Sequence, residues 1–379
     1  MRFTQEHHLF RESARRFVDE EINPHVDEWE LEEIFPAHDL FKKLGELGFL
    51  GLTYPEAYGG MGLDYWFSVI FAEELGKADC NGVPLAIAVQ TDMCTPALAE
   101  YGSHDLKKRF LEPAIRGDAV GAIAVSEPDA GSDVAAIRTR AECEGDNWVI
   151  TGRKLYITNG TQADWFCTLV RTSPEQGYGG MSLVVVPKDA PGFGVSRKLR
   201  KLGNRSSDTA ELFFDRCIVP RAYTIGEEGR GFYLQMQQFG RERLFASVMA
   251  YSMCEKAVRM TIEYLRERVA FGKPLLENQA VRFRLSELLT EIEHLRRMTY
   301  HGAETMIAGE DVSRLSAMAK LKAGRLAREV MDTCLQYFGG IGYMEESPIS
   351  RMYRDARLIS IGGGADEVML GIIARLEGL

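Results

Sequence analysis

The chain has 379 residues, too many for one ordinary hydrophobic core, so we expect two or three domains. Hydrophobic residues make up 45% of the chain and charged residues 26%, a composition typical of soluble globular proteins. The formal net charge of −10 argues against nucleic acid or an anionic membrane as the main partner, because both attract a basic surface.

Three kinds of pattern follow one another along the chain and predict an α+β protein. Residues 1–120 carry apolar stripes at helical spacing and form the predicted N-terminal α-helical domain. Residues 121–222 contain short alternating runs between turn residues, which indicates a middle antiparallel β domain. Residues 223–379 return to long helices and predict a C-terminal four-helix bundle. The predicted strands cover residues 122–125, 136–143, 148–158, 165–171, 181–186 and 210–219. The predicted long helices cover residues 232–268, 278–308, 313–338 and 366–377.

Seven cysteines lie singly along the chain, without a Cys-x-x-Cys pair. Their odd number and their spacing predict neither a disulfide framework nor a metal site, and favour a reducing compartment. The N-terminus enters a polar amphipathic segment, and no apolar run is long enough to span a bilayer. We therefore expect a cytoplasmic protein without a membrane anchor, with a removed transit peptide as the open alternative.

Several common enzyme signatures are absent from the sequence. It contains no G-x-G-x-x-G after a strand, no P-loop, no G-x-S-x-G and no H-E-x-x-H. The seven histidines are dispersed and are interpreted as structural or solvated. A Rossmann dehydrogenase, a P-loop enzyme, a serine hydrolase and a zinc protease all lose support.

An unusual group of charges precedes the most apolar helix of the chain. Arg241, Glu242 and Arg243 are followed by an apolar stripe that begins with Leu244 and Phe245. The local sequence favours a charged helix start, where a glutamate is stabilised by the helix dipole. The alternative is a carboxylate carried into the interior of the protein.

Two stretches of the β domain have side chains that suit a ligand. The turn that begins at Val125 contains Ser126 and Ser132, and presents hydroxyl and backbone N–H groups. Tyr156 and Thr158 lie on one face of a strand, where a planar ring could lie on the tyrosine while the threonine bonds its edge. An ordinary Ser turn and an ordinary hairpin are the alternatives.

The helical regions contain three more stretches of this kind. Residues 268–274, followed by Asn278-Gln279, combine a basic helix end with a glycine turn, which suits a pyrophosphate or merely a helix cap. Glycines cluster at residues 338–342 and 362–364, where the backbone either approaches a ligand or makes a turn. Each signal is weak alone, and their order on an α–β–α chain makes them specific.

Taken together, these residues resemble the acyl-CoA dehydrogenase family over essentially the whole chain. Ser126-Glu127-Pro128 through Gly131-Ser132-Asp133 is similar to the family's first signature. Gln336 through Tyr343 and Arg354-Asp355-Ala356-Arg357 are similar to its second. The resemblance implies a homotetramer that binds FAD between the β domain and the bundle. It also implies oxidation of an acyl-CoA thioester to a trans-2-enoyl-CoA, with electrons passed to an electron-transfer flavoprotein.

The resemblance also assigns roles by position. The flavin and the thioester would be lined by Val125, Ser126 and Ser132, and the isoalloxazine ring would be held by Tyr156 and Thr158. The adenylate and pyrophosphate parts would be bound, across a subunit boundary, by Arg268, Phe271, Gln279, Gln336, Gly339 and Gly340. Acyl-CoA contacts are implied for Arg243, Gly364 and Arg375, and cofactor contacts for Ala365 and Glu367. Ala365 stands where threonine is usual, so one hydroxyl to the cofactor is lost.

The position of the catalytic base departs from the commonest family pattern. Alignment on Arg354-Asp355-Ala356 places Gly363 where many members carry a glutamate. Glycine cannot accept a proton, although its N–H can still bind the thioester oxygen. Isovaleryl-CoA and long-chain types carry the glutamate on the bundle helix, in an x-Glu-Arg-Leu context that Glu242-Arg243-Leu244 matches. Glu242 therefore becomes the predicted base, and Arg241 is expected to be an ordinary surface or interface charge.

The glycines at 362 and 363 also bear on the substrate. Glycine in place of a bulky residue leaves room for a branch near Cα or Cβ, which predicts isovaleryl-CoA or a longer 3-methyl-branched acyl-CoA such as citronellyl-CoA. The alternative is that the glycines only relieve backbone crowding. Two competing functions remain open, an acyl-CoA oxidase and a non-catalytic flavin-binding relative.

Overall fold

The computed structural model describes residues 3–174 and 177–379, so Met1, Arg2, Glu175 and Gln176 lie outside the description. The helices are α1 (Gln5–Phe17), α2 (Val26–Glu32), α3 (Ala37–Glu46), α4 (Tyr65–Leu75), α5 (Gly82–Ala88), α6 (Pro96–Tyr101), α7 (His104–Leu106), α8 (Glu112–Ile115), α9 (Gly231–Glu267), α10 (Gln279–Ile307), α11 (Ser313–Phe338), α12 (Pro348–Ala356) and α13 (Asp366–Glu377). The strands are β1 (Gly121–Ala124), β2 (Arg140–Glu144), β3 (Asn147–Thr158), β4 (Trp165–Arg171), β5 (Met181–Pro187), β6 (Phe193–Lys198), β7 (Thr209–Pro220), β8 (Thr224–Ile225), β9 (Val269–Ala270) and β10 (Lys273–Pro274).

The N-terminal helices are organised around α4, which is buried along its whole length. The side chain of Asp64 caps this helix by accepting from the N–H of Trp66 at 2.9 Å. A helix that buries every one of its residues must be covered on every side, and α1, α9 and α10 all contact α4. The next helix, α5, continues into a π-helical segment, Val89–Cys94, which carries the buried Asp92.

The β region forms one sheet with the strand order β6-β7-β3-β2-β4-β5-β8. Its pairings are antiparallel, as the sequence predicts, except that β1 runs parallel to β4 and that Arg140 pairs in parallel with Arg171. The strand predicted from residue 136 starts only at Arg140, because Val134–Ala136 forms a 3₁₀ turn. The edge strand β6 was not predicted, because its mostly exposed side chains lack an apolar alternation.

The long bundle helices begin and end within one residue of their predicted bounds. The short helix α12 was not predicted; it packs against α9 and α11. Between α4 and the bundle, the carboxylate of Glu73 accepts hydrogen bonds from the hydroxyls of Tyr251 at 2.5 Å and Tyr300 at 2.7 Å. These polar contacts fix the N-terminal helices against α9 and α10.

Asp355, in the second signature, joins all three regions of the chain. Its carboxylate accepts from the N–H of Asn81 at 3.0 Å and from the N–H of Asn204 at 2.5 Å. Burial and the nearby Glu30 raise the pKa of Asp355, while the two N–H groups act in the opposite direction. We therefore interpret Asp355 as a structural residue that holds the helical and β regions together.

Within the described residues, no helix is both long enough and apolar enough to cross a membrane.

Candidate active site

Glu242 lies well inside α9, which begins at Gly231, so its charge does not mark a helix start. Its side chain is buried, at 6% exposure, and faces the turn between α12 and α13. A Cβ atom placed on Gly363 would lie 3.1 Å from Oε1 of Glu242. The carboxylate thus occupies the space into which a side chain at position 363 would extend, and glycine makes that arrangement possible.

The turn opposite Glu242 depends on glycine for its backbone conformation as well. Gly363 has a φ of +65° and Gly364 a φ of +100°, in the left-handed region that other residues rarely adopt. Lys320, on α11, donates from Nζ to the carbonyl of Ile359 at 2.5 Å and to that of Gly364 at 3.2 Å. The buried ammonium of Lys320 therefore holds both ends of the turn that faces Glu242.

Glu242 has the electrostatic character of a base. Burial raises its pKa to about 7, the positive charges of Arg243 and Lys320 oppose that shift, and Asp92 adds to it. No hydrogen bond engages the Glu242 carboxylate among the described residues, so nearby cations alone offset its charge. Burial also lowers the pKa of Lys320 to about 8, against the charges of Glu242 and Asp366, with Arg243 adding to the decrease.

Arg243, the next residue of α9, also lies beside the glycine turn that faces Glu242. Its guanidinium lies 5.4 Å from the centre of the Phe239 ring, and Nη2 would lie 3.9 Å from a Cβ atom on Gly364. Its Nε is buried and lacks a hydrogen-bond partner in the described part of the chain. Buried donors are normally satisfied, so this nitrogen is available to a ligand or to water.

The β-domain residues meet at the carboxyl end of β1. Val125 is buried, its carbonyl accepts from Nζ of Lys154 at 2.9 Å, and the carbonyl of Ser126 accepts from the N–H of Leu155 at 2.9 Å. The first signature is thereby joined to the segment of β3 that carries Tyr156. Lys154 also forms a buried ion pair with Glu127 at 2.9 Å, which holds the first signature against β3.

The side chains at this junction point outward to different degrees. Tyr156 is 69% exposed and has a φ of +64°, at an irregularity in the β3–β7 pairing. Thr158 is half-buried, Ser126 is half-buried and Ser132 is exposed. An exposed aromatic ring held by an unfavourable backbone conformation is consistent with a site for a second planar ring.

The remaining predicted cofactor residues lie at the other end of the bundle. They are exposed, and they are Arg268, Phe271, Gln279, Gln336, Gly339 and Gly340. The stacked rings of Tyr264 and Phe338, 4.4 Å apart, bring the ends of α9 and α11 together there. In a continuous helix Arg268 lies about 39 Å from Glu242 at 1.5 Å per residue. One chain therefore does not bring these residues to its own Glu242.

Three more predicted residues lie on α13 or directly before it. Ala365 occupies the N-cap position without a side-chain hydrogen bond, next to the turn that faces Glu242. Glu367 is exposed in the first turn of the helix. Arg375 is exposed in the last turn, about 12 Å further along the helix axis than Glu367.

The structure adds three charged residues that the sequence interpretation missed. Arg241 is not an ordinary surface charge, because its side chain is 20% exposed and pairs with the buried Asp92 at 2.8 Å. Asp92 follows an apolar run on a helix, which was an available signal. Lys320 lies on α11 among small residues and has no acidic neighbour in sequence, which was a second available signal.

These surfaces suit a dinucleotide that carries planar rings. Tyr156 and the fully exposed Phe271 both present aromatic rings from left-handed backbone conformations. A Cβ atom on Gly339 or Gly340 would meet no other atom within 4 Å, so the backbone there is open to a close approach. The residues present therefore fit FAD, with the predicted ring-binding residues on the β region and the predicted adenylate-binding residues at the end of the bundle where α9 meets α11.

Comparison with known proteins agrees with this geometry over nearly the whole length. Family models described as the N-terminal, middle and C-terminal domains of acyl-CoA dehydrogenase match residues 4–118, 122–217 and 229–377. The chain is 38% identical over 376 residues to the mitochondrial long-chain specific acyl-CoA dehydrogenase of Sus scrofa, covering 98% of this chain and 86% of the relative.

Two further relatives extend the comparison. The mitochondrial isovaleryl-CoA dehydrogenase of Oryza sativa subsp. japonica is 36% identical over 367 residues, covering 97% of this chain and 90% of the relative. The crystal structure of an acyl-CoA dehydrogenase from Geobacillus kaustophilus is 39% identical, has a TM-score of 0.96, and is matched over 100% of this chain and 99% of that one. The chain therefore belongs to the acyl-CoA dehydrogenase family, whose members are FAD-binding oxidoreductases that act on the CH–CH bond of acyl-CoA thioesters.

Proposed function

We propose that this protein oxidises a 3-methyl-branched acyl-CoA to the trans-2-enoyl-CoA, with Glu242 as the base that removes the α-proton. The observation that supports this most is the buried Glu242 carboxylate against Gly363, with its pKa raised to about 7. When bound, FAD supplies the acceptor for the hydride that leaves Cβ. The proton from Cα goes to the Glu242 carboxylate.

A raised pKa suits that step because the α-proton of a thioester is only weakly acidic. A carboxylate with an ordinary pKa is a poor base, whereas one that titrates near the working pH combines basicity with a useful ionised fraction. The N–H of Gly363 lies in the same turn and is proposed as a donor to the thioester oxygen, where charge develops as the proton leaves. Arg243 and Gly364 are proposed acyl-CoA contacts, because both lie in the same corner as Glu242. Arg375 is proposed to bind a more distant part of the substrate.

The branch preference rests on the missing side chain of Gly362, next to the turn that faces Glu242. A Cβ atom on Gly362 would meet Leu358 at 3.4 Å, and one on Gly363 would meet Glu242. Because the Glu242 carboxylate takes the space beside Gly363, the space proposed for a methyl branch is the one that a side chain on Gly362 would fill. The relatives act on long-chain as well as isovaleryl substrates by their names, so the branch is a property that we propose for this chain.

The separation of the two cofactor surfaces supports a further part of the proposal. Val125, Ser126, Ser132, Tyr156, Thr158, Ala365 and Glu367 would hold the flavin end. The adenylate and pyrophosphate end would be held by residues of a second copy, because Arg268 lies about 39 Å along α9 from Glu242 and the other residues of that set lie near the same end of the bundle. We therefore propose a homotetramer whose electrons pass to an electron-transfer flavoprotein, and domain boundaries near residues 120 and 222.

The base assignment is tested with Glu242→Gln, which keeps the volume of the side chain but cannot accept the proton. We expect the rate of anaerobic flavin bleaching by isovaleryl-CoA to fall by about 10²–10⁴-fold while FAD stays bound. Glu263→Gln, an exposed change on the same helix, is the matched control and should behave as wild type. A near wild-type rate in Glu242→Gln with full FAD content would show that another group is the base.

The branch preference is tested in the wild-type enzyme with straight, 2-methyl and 3-methyl acyl-CoAs of equal main-chain length. We expect the 3-methyl compounds to give the highest kcat/KM in a dye-linked assay. Equal values for butyryl-CoA and isovaleryl-CoA would contradict the branch proposal and leave the base assignment standing. Hydrogen peroxide released without an added acceptor would instead identify an oxidase.

A further inference from the structure

The turn that faces Glu242 contains few groups that could fix its own conformation. Residues 362–365 are three glycines and an alanine, so they carry no hydrogen-bonding side chain. Glycine also loses more conformational entropy on ordering than any other residue. In the part of the chain that the structure describes, the N–H groups of Gly363 and Gly364 donate to no protein group. The turn thus offers two free donors, and its neighbours must fix it before these donors keep one direction.

Helix α11 supports the turn along one of its faces. Lys320, Gly324 and Arg328 follow one another at intervals of four residues, so they lie on the same side of the helix. The ammonium of Lys320 binds carbonyls at both ends of the turn. A Cβ atom added to Gly324 would lie 2.7 Å from Oγ of Ser360 and 2.8 Å from Oδ1 of Asp366. The helix therefore packs closely against the residues that precede and follow the turn.

The third residue of this face, Arg328, forms an ion pair with Asp366. Its Nη2 donates to Oδ2 of Asp366 at 3.0 Å, and the Asp366 side chain is only 9% exposed. Asp366 is the first residue of α13 and follows Ala365, which provides no side-chain cap. The helix dipole favours a carboxylate in a first helical turn, but that effect does not require the carboxylate to be buried. The buried contact with Arg328 instead joins the end of the turn to α11.

We propose that Arg328 and Asp366 are positioning residues for the reaction, which hold the free N–H of Gly363 in place for the thioester oxygen. The inference rests on the proposed function and deepens it by assigning residues that act through the turn. A donor at that oxygen stabilises the charge that develops as the α-proton leaves, and its effect depends on a fixed geometry. A displacement of about 1 Å can lower a rate by about 10²-fold. Loss of the ion pair should therefore slow proton removal more than it weakens substrate binding.

The test separates proton removal from hydride transfer. The FAD-loaded enzyme is incubated in D₂O with 3-thia acyl-CoAs that carry methyl, isopropyl or longer S-alkyl groups. Sulfur replaces the β-carbon in these probes, so no hydride can leave. The α-proton passes to the Glu242 carboxylate, and the electron pair of the C–H bond moves onto the thioester oxygen. A deuteron returned from the exchanged carboxyl group then forms a C–D bond, and mass spectrometry of the recovered thioester measures the exchange rate.

The first variant is Asp366→Ala with Arg328→Met, which removes both charges of the pair. With the probe that wild type exchanges fastest, we expect the maximal exchange rate to fall by about 10–100-fold while the KM stays within about twofold. Asp366→Asn keeps an acceptor oxygen for Arg328 and should retain most of the rate. The matched control is Arg314→Met with Glu377→Gln, which removes another ion pair between α11 and α13, about 16 Å further along α13, and should exchange as wild type.

The second variant, Gly324→Ala, disturbs the same support without removing a charge. Alanine is the better helix former, so α11 itself should not be weakened, whereas the added methyl group presses on Ser360 and Asp366. We expect the maximal exchange rate to fall by at least about tenfold. Gly371→Ala on α13 is the matched control, because an added Cβ atom there would meet none of the described residues within 4 Å, and it should exchange as wild type.

The outcomes separate this inference from the proposed function. Wild-type exchange in the folded, FAD-bound double variant would overturn the positioning role, and so would a raised KM with an unchanged maximal rate. If the double variant does not fold, the exchange rate of Gly324→Ala decides in the same way. Absence of exchange with every probe in wild type, or exchange that persists in Glu242→Gln, would instead overturn the proposed function.

Discussion

Two buried carboxylates in this protein have raised pKa values for the same first reason, burial, yet their surroundings differ completely. Asp355 accepts two backbone N–H groups, one from the N-terminal helices and one from the β region. Glu242 accepts no hydrogen bond among the described residues and lies against a glycine. A buried carboxylate with all its partners holds a fold together, whereas one without them is available for chemistry, and this difference separates the structural from the reactive group.

The largest expected effect comes from moving the catalytic carboxylate from position 242 on α9 to position 363 in the facing turn. Glu242→Gly should lower the rate of flavin bleaching by about 10²–10⁴-fold, because no carboxylate then faces the substrate. Adding Gly363→Glu to that variant places a carboxylate in the space that Glu242 left, and should recover at least about tenfold. Stopped-flow bleaching of the FAD-loaded variants measures both. Full activity in Glu242→Gly alone would show that Glu242 is not the reactive carboxylate.

Asp355→Ala should instead act on stability. It leaves the N–H groups of Asn81 and Asn204 buried without an acceptor, which should lower the free energy of unfolding by at least about 2 kcal/mol. The urea midpoint by circular dichroism measures the loss. The activity per folded, FAD-bound molecule should stay within a few-fold of wild type. A large loss of kcat without a change in the midpoint would assign Asp355 to the chemistry.

Glu242→Gln should have the opposite effect on stability at alkaline pH. Because the pKa of Glu242 rises from 4.5 to about 7 on folding, the native state holds its proton more tightly than the unfolded state. Stability is therefore lost as pH rises from about 4.5 to about 7, and the neutral glutamine avoids that loss. We expect Glu242→Gln to be more stable than wild type by about 1–3 kcal/mol at pH 8 and by much less at pH 4.5. Urea unfolding at the two pH values should show a pH-dependent gain, and a constant difference would contradict this explanation.

The smallest expected effect concerns the pH dependence of the rate. In wild type, kcat/KM should rise with pH up to about 7, because Glu242 must lose its proton before it acts as a base. Lys320, on α11, and Arg243 favour the ionised carboxylate, and Asp92, on the π-helical segment, opposes it. Lys320→Met removes one favourable charge, so the acid limb should move to higher pH and kcat/KM at pH 6 should fall severalfold.

Lys322→Met, which removes a half-buried lysine of the same helix that is paired with Glu291, is the control for Lys320→Met. It should leave the pH profile as in wild type. An acid limb that stays in place in Lys320→Met would show that the lysine acts on the turn alone and not on the base.

Much of the fold could be predicted from the sequence, because the spacing of apolar residues distinguishes long helices from strands and stops where the helices end. The four bundle helices and most of the β strands lie where the pattern predicts them. The strand β6 could not be found, since an exposed edge strand needs little apolar alternation to pair with β7. The 3₁₀ turn at residues 134–136 also carries no distinct pattern, and the segment directly after it is held by Glu127, whose carboxylate accepts from the N–H groups of Arg138 and Thr139.

The sequence by itself determined the order of the three regions, the family resemblance and Glu242 as the predicted base, because these depend on local patterns and on motifs. Only the tertiary structure decided that Arg241 pairs with Asp92, that Lys320 holds the turn, and that Glu242 fills the space beside Gly363. The physical reason is that a buried charge is defined by what surrounds it. Those surroundings come from segments far apart in the chain, and no local pattern records them.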